Sequence, residues 1–371
     1  MKLKEFAIIN MGQSPKGETY NTVERGMPFL QGRKTFGRIY PNIDTWTTNP
    51  IKIANKSEIL MSVRAPVGDM NFANQEICIG RGLCSINAKN GRNKYLYYML
   101  LNSMNDIKQK STGTVFDSVN RNDLENLEFN FHSEKEQDKI ENILGNIDIK
   151  IELNNEINNN LYEMCNVLYH QLLDDNESNI EYKTIGEIAK KVITGKTPST
   201  KNKEYWGGNI PFITIPDMHN QVFTINTERY ITKEGAKSLI PKNSISVSCI
   251  ATVGLVSIND KDSQTNQQIN SIVIENDYDL YYLFEFLTEQ EQYMKSIAGG
   301  STTYNINKNT FENIQVPYLN KELIIEYDKK VRPMFEKIKS NQISNDTLSQ
   351  LRDTLLPKLM NGEIDLDNIE I

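Results

Sequence analysis

The sequence contains a long internal repeat, and this repeat limits the folds open to the chain. Residues 1–174 recur in diverged form at 181–360. Gly12-Gln13-Ser14-Pro15, for example, returns as Gly195-Lys196-Thr197-Pro198. The offset between matched segments stays between 183 and 187 residues, so one unit has been duplicated with few net insertions. This period is far longer than the roughly 20 to 50 residues of solenoid repeats, so each copy is a domain with a helix attached.

The globular part of each copy has mixed α and β character. Ile59–Val63 and Ile245–Ile250 are rich in β-branched residues and end near turn residues, which predicts short strands. Tyr95–Asn105 and Tyr281–Tyr293 place aromatic and leucine residues at three- and four-residue spacing, which predicts helices. The fold class is therefore α+β, with two similar globular domains.

Each copy ends in a segment with helical periodicity. Residues 134–173 contain no proline and place apolar residues such as Ile157 and Met164 at heptad positions a and d. A helix of this length would extend roughly 60 Å. The second segment contains Pro333 and Pro357, which predicts kinks or a late start near Pro333. Because each helix must return the chain toward the other domain, we expect the two helices to pair as an antiparallel coiled coil.

The composition is that of a globular protein without membrane spans. The 371 residues are 38% hydrophobic and carry a formal net charge of −7. The sequence has no uninterrupted apolar run of about 18 residues, and its N-terminus lacks the apolar stretch of a signal peptide. The four cysteines show no CxxC spacing and form no zinc signature. We therefore expect a reduced, cytoplasmic chain that needs no metal.

The negative net charge is unevenly distributed, so it does not exclude a nucleic-acid partner. Residues 1–132 carry 17 basic and 12 acidic side chains, whereas residues 133–180 carry 3 and 11. Residues 181–317 and 318–371 each have two more acidic than basic side chains. Attraction to DNA depends on the local potential rather than on the total charge. The charge pattern permits a DNA-binding protein without requiring one.

The most specific motif joins Gly195-Lys196-Thr197-Pro198-Ser199 to Glu204-Tyr205-Trp206-Gly207-Gly208-Asn209-Ile210-Pro211-Phe212. Glycine and proline mark turns here, and the aromatic residues are candidate anchors. A weaker copy begins at Gly12, without the Tyr-Trp pair, and the chain closes with Leu355-Leu356-Pro357-Lys358-Leu359-Met360-Asn361-Gly362-Glu363-Ile364. With the duplication and the helices, these motifs make nearly the whole chain resemble the specificity subunit of a type I restriction-modification system.

This resemblance implies a non-catalytic reader of a split DNA site. It assigns target-recognition domains to residues 1–132 and 181–317, a central spacer helix to 133–180, and a C-terminal spacer helix and tail to 318–371. Each domain reads one half-site, and the helices dock two methyltransferase subunits, which methylate adenine with S-adenosylmethionine. Restriction subunits that use ATP and Mg²⁺ can join the complex, whereas this chain itself carries no cofactor. A spacer helix of about 60 Å suits half-sites that lie one to two duplex turns apart, at roughly 34 Å per turn.

Polar and basic residues in the loops of both domains are the candidate DNA contacts. Arginine can bond guanine through two N–H groups, asparagine and glutamine pair with adenine, and lysine more often contacts phosphate. The alternative for each position is an ordinary surface residue, and 80–82 and 265–267 also suit structural turns. The candidates are Arg33, Lys34, Arg38, Arg64 and Arg81 in the first copy, and Lys196, Lys201, Lys203, Asn220, Gln221, Gln264, Asn266, Gln267 and Gln268 in the second.

Two other classes of protein remain open, namely a stand-alone methyltransferase or nuclease with an unrecognised site and a coiled-coil adaptor. A stand-alone methyltransferase would need a glycine-rich cofactor loop and an Asn/Asp-Pro-Pro-aromatic motif, and the sequence has no such tetrapeptide. A nuclease would need metal-binding carboxylates, but Glu234 and Lys237 have the wrong spacing from Asp217, and Glu181-Tyr182-Lys183 is a match expected by chance. A coiled-coil adaptor whose globular ends bind protein is the third possibility, and it predicts no steep salt dependence of DNA binding.

Overall fold

The chain folds into two compact units, each containing one globular domain. The computed structural model describes residues 1–111, 118–219, 221–299 and 304–366. Unit 1 comprises Met1–Ile149 together with the C-terminal residues from Ser349, and unit 2 comprises Lys150–Leu348. The boundary between the units thus falls within both long helical segments. The predicted division at residues 132, 180 and 317 stays a prediction.

In the residues that the structure describes, the globular part of unit 1 contains nine strands and four short helices. Two short 3-10 turns, Gly17–Thr19 and Arg33–Thr35, lie in its loops. The strands are β1 (Ala7–Met11), β2 (Tyr20–Asn21), β3 (Met27–Leu30), β4 (Trp46–Thr47), β5 (Ile53–Ala54), β6 (Ile59–Ser62), β7 (Met70–Phe72), β8 (Ile77–Ile79) and β9 (Leu83–Ala88), and the helices are α1 (Leu3–Phe6), α2 (Asn93–Asn102), α3 (Met104–Ser111) and α4 (Arg121–Glu125).

These strands form two sheets. The first is antiparallel, in the order β1-β9-β6-β7, and the second has the order β2-β4-β3-β8-β5. In the second sheet β3 and β8 run parallel, with Phe29 beside Cys78. The carboxyl ends of β3 and β8 therefore meet at one edge of the sheet.

The globular part of unit 2 has the same kind of elements. Its loops contain the 3-10 turns Lys203–Tyr205 and Ile215–Met218. The strands are β10 (Glu181–Thr184), β11 (Ala189–Thr194), β12 (Trp206–Ile213), β13 (Phe223–Thr224), β14 (Arg229–Ile231), β15 (Leu239–Ile240), β16 (Ile245–Ser248), β17 (Val256–Asn259), β18 (Ser263–Thr265), β19 (Ile269–Ile274) and β20 (Gln315–Tyr318), and the short helices are α6 (Ile185–Ile188), α7 (Asp279–Thr288), α8 (Glu291–Ile297) and α9 (Lys308–Glu312).

The strand order of unit 2 repeats that of unit 1. One sheet has the order β11-β19-β16-β17-β13 and matches β1-β9-β6-β7 with one added strand. The other has the order β14-β12-β18-β15 and matches β4-β3-β8-β5. Strands β12 and β18 run parallel, as β3 and β8 do. The α+β class and the internal duplication predicted from the sequence are therefore confirmed.

Two long helices complete the units, α5 (Glu134–Asp175) and α10 (Lys321–Met360). In unit 2, Asn154 bonds Asn345 and Asn158 bonds Asn341, each at 2.8 Å. In unit 1, Arg352 bonds Asp148 at 2.9 Å. Within unit 2 the partner number falls as the number along α5 rises, so the helices pair in antiparallel fashion, as predicted.

The expected late start of the second helix is wrong. Helix α10 begins at Lys321 and continues through Pro333. Val331, Phe335 and Ile338 are buried around the proline, and Phe335 stacks on Tyr281 with ring centroids 4.2 Å apart. A proline inside a helix costs about 3 kcal/mol, whereas burial of one large apolar side chain contributes roughly 1.5–3 kcal/mol. Burial of this apolar face therefore outweighs the proline.

The predicted heptad seam of α5 is also wrong in its central part. Ile157 and Met164 were expected in the seam but are 40% and 52% exposed. Asn154, which interrupts the heptad pattern, is instead buried. The amides between Asn154 and Asn158 pair with α10, so hydrogen bonds set the contact line where heptad periodicity predicts apolar packing. Buried polar groups are tolerated when each finds such a partner.

The other predicted elements differ from the structure mainly at their ends. The two helices expected to reach Asn105 and Tyr293 end at Asn102 and Thr288, and a separate helix follows each. In the described ranges no helix has the length and apolar character to cross a membrane.

Candidate nucleic-acid interface

In both domains the Gly-x-Ser/Thr-Pro loop packs against the loop that follows the second parallel strand. In unit 1, Ser14 Oγ donates to Gln31 Oε1 at 2.9 Å and accepts from the Arg81 amide at 3.1 Å. In unit 2, Thr197 Oγ1 donates to Gln267 Oε1 at 2.6 Å. The motif serine or threonine therefore fastens the first loop to the second.

Glycine opens both loops because the backbones approach too closely for a side chain. A Cβ atom at Gly12 would clash with the carbonyl oxygen of Gly80, and one at Gly195 would clash with that of Asn266. This close approach explains why the motif begins with glycine in both copies.

An aromatic platform lies beside each of these loops. In unit 2, Trp206 is perpendicular to Phe212, with ring centroids 5.2 Å apart, and its Nε1 donates to the Ser199 carbonyl at 3.2 Å. In unit 1, Tyr20 stacks on Phe29 at 4.6 Å, and its hydroxyl donates to the Pro15 carbonyl at 2.9 Å. Each ring thus braces the motif loop through one hydrogen bond to a backbone carbonyl.

Tyr20 occupies the place of Trp206, a correspondence that the sequence motif does not reveal. Tyr20 pairs with Thr47 in the sheet, and Trp206 pairs with Ile231, the residue equivalent to Thr47. Tyr20 precedes its Phe by nine residues, whereas Trp206 precedes its Phe by six. Because of this difference in loop length, the first copy lacks the motif in sequence although it has the platform in space.

Most of the predicted contacts in unit 1 are exposed around the ends of the parallel strands. Arg33 and Lys34 follow β3, Arg81 follows β8, and all three side chains are exposed. Arg33 is paired with Asp69. The Arg81 amide bonds Ser14 Oγ, and the adjoining Pro15 carbonyl accepts from the Tyr20 hydroxyl, so the backbone of Arg81 lies beside the loop that Tyr20 braces.

The remaining two arginines of unit 1 lie elsewhere on the domain. Arg38 is exposed in the turn closed by a bridge between Phe36 and Pro41. Arg64 is exposed just after β6, where its backbone pairs with that of Ser118. The structure therefore brings Arg33, Lys34 and Arg81 to one sheet edge, while Arg38 and Arg64 come from other loops.

Five of the predicted DNA contacts in unit 2 have exposed side chains, and one of these, Gln267, follows β18. The structure places Lys196, Lys201 and Lys203 between β11 and β12, and Gln221 precedes β13. Asn220 lies outside the described residues.

Four of the candidate amide side chains of unit 2 take part in structural hydrogen bonds. Gln264 is fully buried, accepts from the amides of Lys237 and Ser238, and donates to the Lys196 carbonyl. This placement argues against the prediction that Gln264 contacts DNA, because its side chain serves as a brace between loops. Asn266 and Gln268 bond each other across the turn, and Gln267 between them is exposed while its Oε1 accepts from Thr197.

Sequence reasoning missed Arg229, which stands on the platform of unit 2. Its guanidinium carbon lies 3.6 Å from the ring centroid of Trp206. Arg229 begins β14, and only the pairing of this strand with β12 brings it beside Phe212. The sequence offers no local signal for the contact between Arg229 and Trp206, because 23 positions separate them.

Potential metal ligands and two of the histidines have defined surroundings in the fold. In the part of the chain that the structure describes, no group of three or more His, Cys, Asp or Glu residues is placed to hold a metal ion. His132 bonds the Tyr95 hydroxyl, and His170 bonds Glu289.

Comparison with known proteins identifies the family. The model of the type I restriction modification DNA specificity domain matches residues 1–163 and again 177–347. The chain belongs to this family. Both copies of the internal repeat are thus specificity domains, which agrees with the resemblance inferred from the motifs.

Two relatives named as specificity subunits match half of the chain or less in sequence. The HindI specificity subunit of Haemophilus influenzae is 47% identical over 191 residues, which cover 50% of this chain and 41% of the relative. The putative MjaX specificity subunit of Methanocaldococcus jannaschii is 41% identical over 152 residues, which cover 40% and 36%. The chain therefore aligns with less than half of either relative.

A solved structure shares the fold of the whole chain. The S subunit of a type I restriction-modification system from M. genitalium superposes with a TM-score of 0.62 at 18% identity, covering 97% of this chain and 95% of that one.

Proposed function

We propose that this chain is the DNA-specificity subunit of a type I restriction-modification system. Each of its two specificity domains reads one half of a split site, through the loops at the carboxyl ends of its two parallel strands. The observation that carries this proposal is the duplicated edge itself. Two domains of the same topology present exposed cations and amides beside an aromatic platform, and both match the specificity-domain family.

The chain contributes recognition rather than chemistry to this function. Cationic side chains such as Lys196 and Lys201 are suited to phosphate. The loops that follow the second parallel strand of each domain present groups suited to base edges. S-adenosylmethionine, and ATP with Mg²⁺ where restriction occurs, belong to the partner subunits. The half-sites are separated by one to two turns of duplex.

The partners are two methyltransferase subunits, and helix α5 offers a surface for one of them. Leu153, Ile157, Met164 and Val167 lie along one face of α5 and are 40% to 64% exposed. Exposed apolar side chains aligned along a helix mark a protein-interaction surface. We call these four residues the α5 stripe. A methyltransferase subunit that covers the α5 stripe would be held beside the DNA that the domains select.

Methylome sequencing tests the proposed function directly. A type I methyltransferase subunit that binds this chain is expressed with the chain and without it in a host that lacks adenine methylation. We expect a split adenine-methylated motif that appears only when both proteins are present. Unchanged methylation, despite a stable complex of the two proteins, would contradict the role in DNA recognition and favour an adaptor.

A further inference from the structure

Arg229 is held in a fixed position on the platform of unit 2. It is exposed on β14, the edge strand of its sheet, and its guanidinium lies over Trp206 and 5.9 Å from the Phe212 centroid. Trp206 is itself held by Phe212 and by its bond to Ser199. Among the described residues, the Arg229 guanidinium makes no hydrogen bond or ion pair. Its N–H groups are thus positioned by stacking and remain available to a ligand.

The two domains carry an arginine at different positions around the motif loop and its platform. Arg229 pairs with Phe212 in the sheet, and its equivalent beside Phe29 is Thr45. Conversely, Arg81 follows β8 and its amide bonds Ser14 of the motif loop, whereas its equivalent after β18 is Gln267. A residue needed only to stabilise the fold would be expected at the same position in both copies. The exchange instead suits positions that vary with the sequence being read.

We propose that Arg229 is a specificity-determining residue that reads a guanine in the half-site bound by unit 2. Guanine presents two acceptors, O6 and N7, to the major groove, and the planar guanidinium matches them with two parallel hydrogen bonds. Contact with phosphate requires charge rather than a fixed plane, and the exposed lysines of the neighbouring loop supply that charge. Stacking on Trp206 restrains the orientation that base reading demands. This inference rests on the proposed function.

The test compares Arg229→Lys with Arg229→Gln in the methylome assay and in binding assays with DNA duplexes. Arg229→Lys keeps the charge and the exposed position but loses the two parallel N–H donors of the planar guanidinium. We expect one guanine position in one half of the motif to become degenerate, with discrimination falling between about 5-fold and 150-fold. The other half of the motif stays unchanged. Trp206→Phe, which keeps a ring but shortens the platform, relaxes the same position to a smaller degree.

The matched control is Lys233→Gln, which removes an exposed cation from the turn after β14 and leaves the motif unchanged. An unaltered motif in Arg229→Lys would overturn the proposal. The proposal would also be overturned if Arg229→Gln bound all DNA sequences more weakly by the same factor and the slope of log affinity against log salt concentration fell by about one. That result identifies a phosphate contact. If the unsubstituted chain directs no split-site methylation, the proposed function itself fails, which separates the two failures.

Discussion

At the scale of single residues, Glu285 links the stability of unit 2 to pH. Its side chain is fully buried on α7, and burial raises its pKa to about 8, with the nearby Glu289 adding to the shift. Asn166 donates one bond to its Oε2, while Oε1 has no hydrogen-bond partner among the described residues. The folded protein therefore holds this carboxyl in its neutral form at pH 7.

The sign of the pH effect follows from proton uptake on folding. Glu285 is protonated when folded and ionised when unfolded between pH values of about 4.5 and 8, so the free energy of unfolding falls as pH rises through this range. We expect Glu285→Gln to remove that slope. The free energy of unfolding of this variant should exceed that of the unsubstituted chain by roughly 1–4 kcal/mol at pH 8.5, and should not exceed it at pH 4.5. Urea unfolding at both pH values measures this. Glu156→Gln, at an exposed carboxylate of α5, is the control, and an unchanged slope in Glu285→Gln would refute the assignment.

At the scale of elements, the α5 stripe is expected to bind the methyltransferase subunit. Met164→Glu with Val167→Glu places two charges where apolar contact is proposed, and the burial of a charge without a partner is unfavourable. Because both positions are exposed, the helix itself tolerates the change. We expect at least a tenfold loss of affinity for the methyltransferase subunit, measured by titration of the purified proteins. Val23→Glu, 77% exposed on a loop of unit 1, should bind normally. Undiminished affinity in the double variant would place the interface elsewhere.

The sequence predicted elements better than it predicted contacts. Helix α5 was expected at 134–173 and spans Glu134–Asp175, because an unbroken periodic run without proline is a local signal. The seam within α5 was mispredicted because the pairing of Asn154 with Asn345 depends on the partner helix. The same limit applies to the candidate interface. Arg81 was found as a polar loop residue, whereas Arg229 and Tyr20 acquire their places only through strand pairing. Gln264 has the composition of a contact, and only its burial reveals a brace.

At the scale of the whole molecule, the duplication makes recognition modular. Each domain has its own pair of larger sheets and its own loop edge, and the strand order of these sheets is similar in the two domains. We therefore expect that exchanging residues 1–132 for those of a relative with another target changes one half of the methylated motif and leaves the other half intact. Exchanging residues 181–317 should change the opposite half. Methylome sequencing of both chimaeras measures the outcome. If either exchange alters both halves or neither, the domains do not read independently, and the duplicated fold serves another purpose.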